Sequence, residues 1–234
     1  MMRFLRTLAL VAVYTSGVSA HAALSFGSFP SEDLGREIPD GNRNGYANVI
    51  NVSGMESSLA SVTVGLQVSG GWNGDLYAYL SHGDSLVVLL NRVGRVSDST
   101  SPFGYNDGGL KITLGASGTD IHDYRTIQNY ASAIQNATFV WSADGRKTDP
   151  DAVRFDSPRD TTLANFNGMD PNGAWTLFFA DVSGGGTSHL ENWSLNIEAV
   201  PEPVTVSLAI LGAIFGCSRL VRYLKSGRRR DNLT

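Results

Sequence analysis

The strongest structural signal in the chain is the segment VTVGLQVSGGWNGDLYAYLSHGDSLVVLLNRVG, residues 62–94. Apolar residues occupy every second position from 62 to 68, and the alternation returns from 76 to 80. A period of two predicts strands that bury one face. Residues 86–90 are uniformly apolar, which is typical of a strand buried on both faces.

The same alternation returns later in the chain. Trp175, Leu177 and Phe179 share one face of a predicted strand, and residues 193–197 follow the same period. Asn-Gly and Asp-Gly pairs recur between the apolar runs and predict tight turns. Before residue 200 the one candidate for a helix is 120–135, which is short and polar and could supply a helical turn or a loop. We therefore predict that residues 24–200 form one all-β domain, a jelly-roll β-sandwich.

Two segments of this region resemble a known family. The first is 62–94, with its Gly-Asp-Leu at 74–76. The second is NGAWTLFFADVSGGGTSHLENWSLNIEA, residues 172–199, with a G-x-W-x-L-x-x-x-D strand ending at Asp181 and an L-x-x-W-x-L strand from Leu190. Together they resemble the P domain of subtilisin-like proprotein convertases, with looser correspondence over 95–171. The resemblance implies a jelly-roll sandwich of the galactose-binding-like type.

In that family the P domain stabilises a separate catalytic subtilisin domain, for which this chain has no room. Gly-Thr-Ser at 186–188 has the letters of a subtilisin nucleophile segment but lies in a glycine-rich predicted turn. A triad also needs a positioned base, and His82, His122 and His189 are dispersed. We therefore predict that the chain is not an enzyme. An accessory role beside a separately encoded subtilase is one alternative.

The amino-terminal residues 1–23, MMRFLRTLALVAVYTSGVSAHAA, have the three parts of a secretory signal peptide. Arg3 and Arg6 precede a short apolar stretch at 8–13, and small residues follow it. The apolar stretch is too short to span a bilayer, which favours a cleaved signal. The alternative is an uncleaved amphipathic terminus.

The carboxyl-terminal residues 201–230 begin with Pro201, Glu202 and Pro203, continue with an apolar segment and end in an arginine cluster. We predict a transmembrane helix over 204–224 with its basic end in the cytoplasm; a buried core helix is the alternative. This order of parts resembles the PEP-CTERM sorting signal of Gram-negative bacteria. The resemblance implies transient recognition by an exosortase in the inner membrane, cleavage near Pro-Glu-Pro, and delivery to the cell surface or an exopolysaccharide matrix.

Charge is divided unevenly along the chain. The whole sequence has a net charge of −4, but residues 24–200 hold ten basic and twenty acidic residues. This acidic body argues against nucleic acid as a partner. An acidic, exported domain also offers carboxylates to Ca²⁺, and we take Asp75, Asp181, Asp144 and Asp149 as candidate ligands. For Asp75 and Asp181 the alternative is that they accept hydrogen bonds from turn amides.

Aromatic residues in two loops are candidate carbohydrate contacts. Trp72 precedes a predicted turn, and Tyr105 lies in the loop SPFGYNDGG; the alternative for Tyr105 is a place at the edge of the core or on a strand face. Trp175 and Trp193 are in phase with apolar strand positions and are predicted core residues. We thus predict an exported, non-enzymatic surface or matrix protein that is held in the membrane before processing. Its alternatives are a carbohydrate-binding module for exopolysaccharide, an accessory P domain, or a protein that binds another surface protein.

Overall fold

The computed structural model describes residues 24–96, 103–201, 207–208 and 210–219. The predicted signal peptide, 1–23, lies outside these residues, as do Glu202 and Pro203 of the predicted sorting motif. The described residues up to 201 belong to one unit, and those from 207 onward belong to another.

Strands make up nearly all of the regular secondary structure in the described part of the first unit, which confirms the prediction of an all-β domain. Its helical pieces are one turn of α-helix, α1 (Tyr130–Ala133), and three 3-10 turns at Asn73–Asp75, Ile121–Thr126 and Leu163–Phe166. The segment 120–135 thus supplies a 3-10 turn and the single helical turn α1. The strands are β1 (Ser25–Pro30), β2 (Arg36–Ile38), β3 (Asn42–Val52), β4 (Ser58–Gly70), β5 (Leu76–His82), β6 (Ser85–Asn91), β7 (Leu110–Gly115), β8 (Thr119–Asp120), β9 (Val140–Ser142), β10 (Gly173–Asp181) and β11 (Ser188–Val200).

The strands form two sheets. The first sheet has the order β1-β11-β4-β7-β9-β8, and β2 pairs with part of β11; the second has the order β3-β10-β5-β6. The pairings are antiparallel except that β9 runs parallel to both β7 and β8. The apolar inner faces of both sheets contribute to one core cluster, as expected for a two-layer β-sandwich.

The period-two segments form this core because strand register aligns their apolar residues. In the first sheet, Leu66 of β4 lies opposite Trp193 of β11. In the second, Leu177 of β10 lies opposite Leu80 of β5. All four side chains are buried, and Trp175 is also fully buried, so both tryptophans predicted to be in the core are there.

Strand β6 is buried more completely than β3, which is the strand at the other edge of the same sheet. Its residues from Val87 to Leu90 are fully buried. The Val88 N–H donates to the Arg146 carbonyl, and the Gly145 N–H donates to the Val88 carbonyl. The chain at 143–146 therefore pairs with the outer edge of β6, and the burial of residues 87–90 on both faces of the strand explains why its sequence is continuously apolar.

The described carboxyl-terminal residues, 207–208 and 210–219, are helical and exposed. Their apolar side chains include Leu208, Ile214 and Phe215, which are 63%, 59% and 69% exposed. None of the helices in the described stretches is both long and apolar enough to cross a membrane. The span predicted over 204–224 is described only in part and stays a prediction.

Candidate functional site at one end of the sandwich

The 3-10 turn at Asn73–Asp75 gathers two distant loops at one end of the sandwich. The Gly74 N–H donates to the Tyr105 carbonyl, and the Asn73 N–H donates to the Asp107 carbonyl, both at 2.8 Å. On the other side, the Val182 N–H donates to the Asp75 carbonyl at 2.9 Å. The loop over 103–109 and the β10–β11 hairpin are thus fixed to the same turn. We call this region the loop-end site.

Trp72 is the exposed aromatic residue of the loop-end site. Its side chain is 45% exposed, and its ring lies against Gly185 in the β10–β11 hairpin. A Cβ atom at Gly185 would come within 3.0 Å of the ring, and the φ of +132° there also favours glycine. The Asp40 carboxylate accepts the Gly185 N–H at 3.1 Å and so fixes the hairpin beside the ring. This arrangement leaves part of the indole ring accessible to a ligand.

Tyr105 has a different environment although it belongs to the same site. Its ring packs so closely on Gly94 that a Cβ atom there would lie 2.3 Å from it. It also meets Tyr124 edge to face at 4.7 Å, and the Arg125 guanidinium lies 4.6 Å from its centre. Tyr105 therefore acts as a packing residue that anchors the 103–109 loop, whereas Trp72 offers more of its ring to solvent.

Asp75 and Asp181 are buried carboxyl groups beneath this surface, 4% and 1% exposed. Arg92 Nη2 lies 3.7 Å from Asp75 Oδ1. Asp181 Oδ1 accepts the Ser183 N–H at 3.2 Å, which is the turn-amide role expected as the alternative to calcium. Asp181 Oδ2 is buried and has no hydrogen-bond partner among the described residues.

Burial and like charge raise the proton affinity of this carboxyl pair. Burial raises the pKa of Asp181 to about 6, and the negative charges of Asp75 and Asp40 add to the increase. Burial also raises the pKa of Asp75, although the nearby Arg92 opposes that shift. The positive charge of Arg92 therefore does not fully offset the cost of burying both carboxylates in ionised form.

The other two candidate calcium ligands make different contacts. Both oxygens of Asp144 accept hydrogen bonds from Nη1 of Arg146, at 2.8 and 2.6 Å. Asp149 Oδ1 accepts the backbone N–H groups of Asp151 and Ala152. Across residues 24–96, 103–201 and the described helical residues, no group of three or more His, Cys, Asp or Glu side chains is arranged to hold a metal ion.

Asp144 lies in a buried network of charged side chains that the sequence did not predict. Asp144 and Arg146 are 2% and 3% exposed. His122 Nδ1 lies 3.8 Å from Asp144 Oδ2. Arg159 donates from Nε to the Asp144 carbonyl and from Nη2 to Asp120 Oδ1, at 2.6 and 2.7 Å. These residues come from separate parts of the chain, so their spacing gives no motif.

The Gly-Thr-Ser segment of the β10–β11 hairpin places its serine inside the protein. Ser188 is the first residue of β11, opposite both Gly70 of β4 and Ile38 of β2. It is fully buried, and Gly71 packs against its hydroxyl so closely that a Cβ atom at position 71 would overlap it. A serine in this position is closed to a substrate.

Comparison with known proteins gives a limited result. No family model and no curated protein matches the chain. Similar solved structures include the serine protease of Aeromonas sobria in complex with its chaperone, at TM-score 0.41 and 13% identity, and the same protease alone, at TM-score 0.41 and 15% identity. These matches cover 78% and 76% of this chain but only 28% and 27% of the solved chains. At this level of similarity they say nothing about what this chain does.

Proposed function

We propose that this chain is an exported, non-enzymatic protein that its carboxyl-terminal segment delivers to the cell surface or extracellular matrix, where it displays a P-domain-like jelly-roll sandwich. The main support is the exposed apolar helix described at residues 207–208 and 210–219. Leu208, Ile214 and Phe215 are each more than half exposed. Apolar surface of this kind is unfavourable in water and marks a site that contacts lipid or protein.

The residues on either side of this helix support a sorting role. Pro201, Glu202 and Pro203 precede it, and the cluster from Lys225 to Arg230 follows it. Basic residues at the end of an apolar helix favour retention of that end in the cytoplasm. Together with the basic and apolar residues 1–23, they fit export through the inner membrane followed by exosortase processing.

The sorting proposal is tested by expressing the full chain in two Gram-negative strains, with and without an exosortase. We expect full-length protein in the inner membrane of the strain that lacks the enzyme. In the other strain we expect a shorter form at the surface or in the medium. A variant with alanine at Pro201, Glu202 and Pro203 should stay full-length in both strains.

A control variant separates recognition of the motif from general effects of mutation. Pro171→Ala changes a proline in the sandwich and should be processed like the natural sequence. Processing of the triple alanine variant to the same short form would contradict the proposal. Accumulation of the full-length natural chain in the cytoplasm would contradict it too.

Binding of carbohydrate through Trp72 is the second candidate function. Its support is the 45% exposed indole ring that Gly185 and Asp40 hold at the loop-end site. Aromatic rings with an accessible surface are common anchors in ligand sites. Trp72→Ala should abolish retention on exopolysaccharide, whereas retention at the natural level would refute this function.

Calcium is the one cofactor that we retain as a proposal, at Asp75 and Asp181. The support is the unpartnered, buried Asp181 Oδ2 in a domain whose acidic residues outnumber its basic ones two to one. Calcium that binds only the folded state raises its stability. A melting temperature that is equal in millimolar calcium and in chelator would contradict the proposal.

A further inference from the structure

The outer face of the first sheet carries a shallow cavity of about 380 Å³. It lies over three neighbouring strands, with β11 between β1 and β4. Its aromatic and polar side chains are a ring, three hydroxyls, an amide and a carboxylate, and we call this cavity the sheet-face groove. They belong to Phe26, Ser28, Ser61, Thr63, Asn196 and Glu198.

Strand register arranges these side chains in two rows across the sheet. Glu198 lies between Phe26 on β1 and Ser61 on β4. Asn196 in the same way lies between Ser28 and Thr63. Three strands span about 10 Å, so a short oligosaccharide can lie across them. The small side chains on β4 leave room above the sheet.

Phe26 gives the sheet-face groove an apolar contact surface. Its ring is 69% exposed although it stands beside polar side chains in a regular strand. An apolar ring surrounded by hydrogen-bonding groups is the usual combination in a site for a small, partly polar ligand. The C–H face of a sugar ring matches such an aromatic surface.

The polar side chains of the groove can both donate and accept hydrogen bonds. The Ser61 hydroxyl donates to Glu198 Oε2 at 2.9 Å, which fixes that carboxylate and leaves its second oxygen directed to other donors. The Asn196 amide is exposed and can donate through its nitrogen and accept through its oxygen. A ligand rich in hydroxyl groups satisfies both functions.

The negative charge of the sheet-face groove disfavours anionic ligands. Its single charged lining residue is Glu198, and residues 24–200 carry twice as many acidic as basic residues. Such a surface repels anionic polymers. We propose that the sheet-face groove binds a neutral polysaccharide, with Phe26 stacked on a sugar ring and Asn196 and Glu198 bonded to its hydroxyls. This proposal extends the carbohydrate-binding candidate to a second surface and is independent of the sorting route.

Retention on immobilised polysaccharides tests the groove. The full chain, purified in detergent, is passed over beads that carry dextran, galactomannan or a soluble β-glucan, with alginate beads and bare beads for comparison. We expect retention on at least one neutral polymer and none on alginate. Phe26→Ala and Asn196→Ala should each weaken retention by about tenfold or more, because each removes a direct contact.

Two matched variants control for loss of exposed residues in general. Val49 is an exposed apolar residue, at 47%, on β3 of the other sheet and outside both candidate sites. Asn51 is an exposed asparagine on the same strand. Val49→Ala and Asn51→Ala should retain the natural affinity. Melting curves of all four variants confirm that each is folded.

Three results would overturn the proposal. The first is the absence of retention on every neutral polymer, and the second is retention on alginate alone. The third is a natural level of retention in the folded Phe26→Ala and Asn196→Ala variants. If Trp72→Ala removes retention while these two variants keep it, the ligand binds at the loop-end site and the groove is excluded. None of these results bears on processing of the tail.

Discussion

Replacement of Asp181 by asparagine should make the sandwich more stable at neutral pH. Asp181 is 1% exposed, and its Oδ2 has no hydrogen-bond partner among the described residues. Asparagine has the same shape and keeps an oxygen that can accept the Ser183 N–H. It removes the buried negative charge beside Asp75 and Asp40.

The size and sign of the effect follow from the pKa of Asp181. Burial and the neighbouring carboxylates raise it from 3.8 to about 6 in the folded protein. Between these values the folded state binds more protons than the unfolded state, so the free energy of unfolding falls as pH rises. The shift is about two units, and each unit corresponds to about 1.4 kcal/mol. We therefore expect the free energy of unfolding of the natural domain to fall by about 3 kcal/mol over this pH range. The Asp181→Asn variant should not show this decrease.

Urea unfolding of residues 24–200 at several pH values, in the presence of chelator, measures this difference. The natural domain should be most stable, as far as this group contributes, below about pH 4, and should lose stability up to about pH 6. The Asp181→Asn variant should not show this loss of stability. Above about pH 6 its free energy of unfolding should be higher than that of the natural domain. Asp170→Asn is a control that should lower, not raise, the free energy of unfolding at neutral pH. The reason is that hydrogen bonds from Asn172 lower the pKa of Asp170.

Two results would refute this reasoning. One is an Asp181→Asn variant that is less stable than the natural domain at neutral pH. The other is equal pH dependence in the two proteins. Repetition with millimolar calcium also tests the calcium proposal. A cation at this pair should stabilise the natural domain at neutral pH and leave the asparagine variant unchanged.

Other substitutions test the packing and the buried network by denaturant unfolding. Asp144→Asn should lower the free energy of unfolding by about 3–5 kcal/mol, because it leaves the buried Arg146 without its charged partner; a loss below about 1 kcal/mol would show that the network is not needed. Asp160→Asn, which removes an exposed pair with Lys147, should change stability by no more than about 1 kcal/mol. Trp175→Ala should cost about 3–5 kcal/mol, since the ring is fully buried and stacks on His82 at 4.0 Å. Trp72→Ala should cost clearly less, and equal losses at the two tryptophans would contradict the assigned difference in burial.

The inward faces of the main strands were predictable because the alternation of apolar residues within a single strand is enough to identify its buried face. The alternation over 62–68 and at Trp175, Leu177 and Phe179 needs no knowledge of the partner strand. Sheet order is different, since it depends on contacts between distant residues. The pairing of β1 with β11 and the parallel contacts of β9 leave no local pattern, and neither was predicted.

The candidate sites were harder to predict than the strands, because they also depend on contacts between residues that are distant in sequence. Trp72 and Tyr105 both lie in glycine-rich loops, but only the folded chain places Gly94 and Tyr124 against the Tyr105 ring. Asp40 reaches Gly185 across 145 positions of sequence. The sheet-face groove was missed because only the pairing of β1 with β11 brings Phe26 and Asn196 to the same surface. In sequence both resemble ordinary exposed strand residues.

Mass spectrometry of the intact protein from cells with and without an exosortase is the decisive experiment for the proposed function. The proposal predicts that surface material from the first strain ends near Pro203 and lacks Cys217, whereas membrane material from the second strain retains the chain to Thr234. Surface material that extends to Thr234 in both strains would contradict delivery by the carboxyl-terminal sorting segment.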